Sequence, residues 1–148
     1  MAAHYMSEER LNFERNLVGG FLGCCDREPG LAGDALALVS GEGVKSADLA
    51  DIWRAVEELH KSGADIDLVS VFNALHSRFL NGKGQNVDAV TIAELSGNVF
   101  AYRDAVLFYA DALNAMNRRE DLNRVLTEAA GECPIHGADP DGIAAKAI

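Results

Sequence analysis

The stretch Gly63-Ala64-Asp65-Ile66-Asp67-Leu68-Val69-Ser70-Val71 lies between two apolar-periodic runs and carries two acids one residue apart. Two readings compete for it. As a carboxylate pair it would point to acid–base or metal chemistry; as punctuation it ends one helix at Ser62-Gly63 and opens the next at Asp67. An Asp placed just ahead of Leu68-Val69-Ser70 can accept the free backbone N–H groups of a helix that runs on through Phe72, Leu75 and Phe79. There it also meets the positive end of the helix dipole, which favours the ionised form and opposes service as a general acid at neutral pH. No histidine, metal-ligand set or nucleophile accompanies the pair in sequence, so Asp67 is read as a helix cap and Asp65 as part of the turn before it.

Working outward, the same grammar recurs. Leu11, Phe13, Leu17, Val18, Phe21 and Leu22 recur at helical spacing behind Ser7 and the acids Glu8-Glu9, which predicts a helix over residues 8–24. Pro29, then Leu31, Ala35, Leu36, Leu38 and Val39, predict a second, short helix that Gly41-Glu42-Gly43 ends. Ser46 or Asp48 can cap a third, with Leu49, Ile52, Trp53, Val56 and Leu59 on one face. Downstream of Asp67's helix, Asn81 to Asn86 is a loop by composition; Val90, Ile92, Ala93 and Leu95 mark a short helix before a Ser96-Gly97-Asn98 break. From Asp104 a long periodic run carries Leu107, Ala110, Leu113, Met116, Leu122, Val125, Leu126 and Ala129, with no Gly or Pro before Gly131. Cys133 to Ala138 then reads as a turn and Asp139-Pro140 as the start of a further helix. The expected fold class is therefore all-α: a small helical-bundle head over residues 1–103, and a long helix over 104–148 that begins an antiparallel hairpin. The ending on Ala145-Lys146-Ala147-Ile148, inside a strong helical run, reads as the edge of something longer.

Charge and composition remove several function classes. The chain has 148 residues, 49% of them hydrophobic, enough for one compact domain with a real core. A formal net charge of -10 opposes contact with phosphate backbones, so no direct nucleic-acid binding is expected. No stretch has the length of a membrane span or the flanks of a signal peptide, so no membrane partner is expected and the chain is read as cytoplasmic. Cys24, Cys25 and Cys133 are odd in number, and adjacent cysteines rarely bridge, which fits reduced thiols. Cys133-Pro134-Ile135-His136 with Cys24-Cys25 offers four zinc-ligand types, but the adjacent pair lacks a knuckle's spacing; free thiols and a turn histidine are the favoured reading, and no metal is expected. Gly82-Lys83-Gly84 lacks the spaced first glycine and the Ser or Thr of a Walker A loop, so neither a nucleotide site nor catalytic residues are expected.

Several of these motifs, in this order, resemble the N-terminal domain of DnaB-type replicative helicases. Glu14-Arg15-Asn16-Leu17-Val18-Gly19-Gly20-Phe21-Leu22 is similar to that family's opening helix. Ile52-Trp53, Ala55, Leu59, Gly63 and then Ile66-Asp67-Leu68-Val69-Ser70-Val71 resemble its segment where an Ile-Asp pair opens the fourth helix. Tyr109-Ala110, with Leu113 and Leu122 beyond, looks like the Tyr-Ala motif that leads into its helical hairpin. The match covers residues 10–130. It departs at Val44 and Leu49, where the family usually has a phenylalanine and a histidine, and at Glu120, where it has a hairpin arginine, here flanked by Arg118 and Arg119.

The resemblance implies a non-catalytic assembly and docking domain of a hexameric helicase. It implies a collar formed with further copies of itself (a dimer or more, a hexamer in the parent protein) and docking of primase and of a helicase loader. ATP and Mg would belong to a separate C-terminal motor, with no cofactor in this chain. The interface residues it implies are Tyr109, Leu113, Met116, Leu122, Val125 and Leu126. The alternative reading is a stand-alone phage or mobile-element protein that uses this fold to load or inhibit a host helicase.

Overall fold

The computed structural model describes residues 7–132. Among them are six α-helices and no strand: α1 (Glu8–Cys24), α2 (Leu31–Leu38), α3 (Ala47–Lys61), α4 (Leu68–Leu80), α5 (Ala89–Ser96) and α6 (Arg103–Glu132), with a single 3-10 turn at Gly41–Gly43. None of these helices is long and apolar enough to cross a membrane. The residues after Glu132, where a turn and a further helix were expected, lie outside the described ones.

Helices α1 and α5 start at side-chain caps of their own. The Ser7 hydroxyl accepts from the Arg10 N–H, and Asp88 caps α5 through the Thr91 N–H. α2 begins after Pro29 rather than on it, because Gly30, the residue at its N-cap, takes a left-handed φ of 83° that a side chain would disfavour. At α3 the expected hydroxyl cap is not made: Ser46 occupies the N-cap position without a side-chain cap bond. The carboxylate of Glu14, from α1, holds the chain just ahead of it, accepting from Lys45 N at 2.7 Å and Ser46 N at 2.9 Å. Glu14 is completely buried and its charge is met by Arg10, whose Nε donates at 3.1 Å and whose other nitrogen reaches the Gly43 carbonyl. A polar clamp thus ties α1 to the loop that launches α3.

The chain divides into two compact units, 1–114 and 115–148. The first extends further than the boundary expected at residue 103, since Val106, Ala110 and Leu113 of α6 are fully buried in it. Its core centres on Trp53, which sits edge-on to Phe21 with ring centroids 5.3 Å apart and donates its indole N–H to the Val39 carbonyl at 2.7 Å. Leu17, Val18, Ile52, Val56, Val71 and Leu75 complete the burial.

α1 presents a glycine-lined seat to the α5–α6 connection. A β-carbon at Gly20 would stand 2.7 Å from the Phe100 carbonyl oxygen, and one at Gly23 would stand 2.6 Å from the Ala101 β-carbon. Only glycine lets the backbones approach this closely. In the second unit the described residues continue α6 to Glu132, and every side chain from 118 to 131 is exposed.

Candidate protein-interaction surface

The two acids of the Asp65–Asp67 segment have different places. Asp67 is the N-cap of α4 and closes a reciprocal capping box: its Oδ1 accepts from Ser70 N at 2.8 Å, while the Ser70 hydroxyl accepts from Asp67 N at 2.9 Å. Gly63 takes a φ of +74°, the left-handed turn that ends α3. Asp65 is exposed on the mouth of a cleft of about 480 Å³ whose walls include Phe21, Cys25, Glu28, His60 and Ile66.

The chemistry available in that cleft is limited. Burial, then the Asp26 carboxylate beside it, pushes the Cys25 thiol up to about 11, so at neutral pH it is a protonated, poor nucleophile. Cys24 is shifted the same way by burial, and its Sγ donates to the Gly20 carbonyl within α1. Among the described residues no group of three or more His, Cys, Asp or Glu is placed to hold a metal ion. Cys133 and His136, the other half of the weighed zinc set, lie outside the described residues.

The structure separates the six residues read as an interface. Leu113 is fully buried in the first unit, so its place on an interface is corrected: it is core, because the opening turns of α6 belong to the bundle. Tyr109 is half-buried in an aromatic cluster, its ring centroid 5.6 Å from that of Phe13, 5.3 Å from Phe100 and 5.2 Å from Phe108. Met116 is half-buried. Leu122, Val125 and Leu126 are 57%, 54% and 58% exposed, an apolar group on a helix whose other side chains there are polar or small.

Sequence reading missed a second set of exposed apolar side chains. Val69, Leu80 and Phe79 of α4 stand out to solvent, as do Val99, Tyr102 and Phe108 around the start of α6. The signal at α4 was present: Val69, Phe72, Phe79 and Leu80 share one face, and Val71 and Leu75 another. Periodicity alone does not say which of two apolar stripes is covered. Set against known proteins, the chain matches no family model, and no curated protein or solved structure resembles it at a significant level.

Proposed function

We propose that this chain is a non-catalytic assembly and docking module of the kind that forms the N-terminal domain of DnaB-type replicative helicases. In this reading residues 7–114 are the head, α6 is the first arm of a helical hairpin, and further copies of the chain pair through that arm to build a collar on which primase and a helicase loader dock. The observation that carries it is the exposed group Leu122, Val125 and Leu126 on α6. Apolar side chains gathered on one helix mark a contact surface, and burying them gains about 25 cal/mol for each Å² removed from water. The capping box at Asp67, in the Ile66-Asp67 pair that opens α4, and the seat of Tyr109-Ala110 at the root of α6 are consistent with it.

The test is sedimentation equilibrium of the purified chain beside a Leu122→Asp/Leu126→Asp variant. The expected result is a wild-type mass that rises with concentration and a variant shifted toward monomer with far-UV helicity nearly unchanged. A wild type whose mass does not rise at high micromolar concentration refutes the collar reading. In the same preparation ATP hydrolysis and binding to single-stranded DNA at physiological salt are expected to be undetectable, the second because of the net charge of -10.

A further inference from the structure

α4 has two apolar faces. Val71 and Leu75 point into the core, at 0% and 2% exposure. On the outer side Val69, Phe72, His76, Phe79 and Leu80 follow at three- and four-residue steps, which places them on one stripe along the helix. Val69 and Leu80 are each 69% exposed and Phe79 is 39% exposed, while Phe72 is half-buried with its ring stacked on His76, centroids 6.3 Å apart. Large apolar side chains at both ends and in the middle of a surface helix form a continuous stripe, not the scattered single residues that a soluble surface ordinarily shows.

The charges at the two ends of this stripe differ in sign. At its N-terminal end stand Asp65 and Asp67, with the Asp26 and Arg27 pair close by across a groove lined by Leu68 and Val69. Beyond its C-terminal end stands the exposed Lys83, while Arg78 is engaged with Glu58 of α3. Two such helices brought together antiparallel would set the acids of each against the lysine of the other, would oppose their dipoles favourably, and would lay Val69 of one near Leu80 of the other. The stripe is complementary to itself under a two-fold rotation.

We propose that the outer face of α4 is a self-association surface, taking the α4 of a second copy of this chain in an antiparallel, two-fold pair centred near Asn73 and His76. This contact is distinct from the one proposed for α6 and does not depend on it. With only about five side chains per copy it belongs to the small class of interfaces, so the pair forms at high concentration.

The experiment uses the full chain with Leu122→Asp/Leu126→Asp, which removes the α6 contact, and Cys25→Ser/Cys133→Ser, which leaves the buried Cys24 as the one native thiol. In this chain the α6 share of self-association is lost, and the weaker remainder, measured by sedimentation at high micromolar concentration, is expected to fall in affinity by roughly tenfold or more when Val69→Asp/Leu80→Asp is added. A short bismaleimide is expected to link Asn73→Cys to its own counterpart in good yield, and to leave Lys83→Cys unlinked because the two-fold carries that position to the far end. A chain that remains monomeric, or equal cross-linking from the two positions, overturns the proposal. Complete loss of association on Leu122→Asp/Leu126→Asp alone would support the collar reading and sink this one, whereas association that this pair leaves unchanged and Val69→Asp/Leu80→Asp removes would do the reverse.

Discussion

Glu14 allows a prediction in which an ordinary ion pair and a structural clamp give different answers. Its carboxylate is fully buried, holds the 4%-exposed Arg10 and accepts two loop N–H groups, those of Lys45 and Ser46. Replacing Glu14 by Met leaves the guanidinium buried with only part of its hydrogen bonding, including the Gly43 carbonyl, and removing one partner of a buried pair costs about 3–5 kcal/mol. For a simple buried pair, replacing both partners by apolar side chains is often neutral. Here the double variant Arg10→Met/Glu14→Met still lacks an acceptor for the two amides. Both lie in partly buried bonds, so each costs about 1 kcal/mol, the low end of the penalty for an unmade hydrogen bond. The expected order in urea unfolding is wild type, then the double variant lower by about 2 kcal/mol, then Glu14→Met lowest. A double variant within about 0.5 kcal/mol of wild type would show that the carboxylate serves only Arg10, and the account of how α3 is launched would be wrong.

Other outcomes follow from single contacts. Gly20→Ala is expected to destabilise by about 1–3 kcal/mol in thermal or urea melts, since the new β-carbon meets the Phe100 carbonyl oxygen at 2.7 Å. Gly131→Ala, in α6 with nothing within 4 Å, is the matched control and should be neutral or stabilising by up to about 1 kcal/mol. Asp67→Ala removes one half of the capping box and should cost about 0.5–2 kcal/mol, with Asp67→Asn retaining most of the stability. The Thr91 N–H holds the Asp88 carboxyl below its usual value of 3.8; stability from this cap is present above that pH and is lost as the pH falls through the lower folded value. A two-dimensional NMR titration of Asp88 in the folded chain should therefore reach its midpoint below 3.8, and a midpoint above it refutes the assignment. Iodoacetamide should modify Cys25 slowly at neutral pH, with the rate still climbing toward pH 11, as mapped by mass spectrometry.

Local order was legible in the sequence because its causes are local. Ser7, Gly63 and Asp67 act on backbone groups within four residues of themselves, so α1 is read over 8–24 and is found at Glu8–Cys24, and the start of α4 is found where Asp67 and Ser70 box each other. The all-helical class followed from the same spacing and caps.

What the tertiary structure decided are the matters that need a partner far along the chain. Glu14 is an ordinary surface-type residue until the loop at 45–46 is folded against it, more than 30 residues away, and then it holds the chain that leads into α3. Gly19, Gly20 and Gly23 look like weak points of a helix until the segment 95–101 lies on them at contact distance. Leu113 and Leu122 carry the same side chain on one helix, yet the first is core and the second 57% exposed. A period of 3.6 residues says that a face is apolar; it does not say whether the rest of the chain covers it. On α4 and α6 alike, that was decided by which neighbours the fold brings to each face.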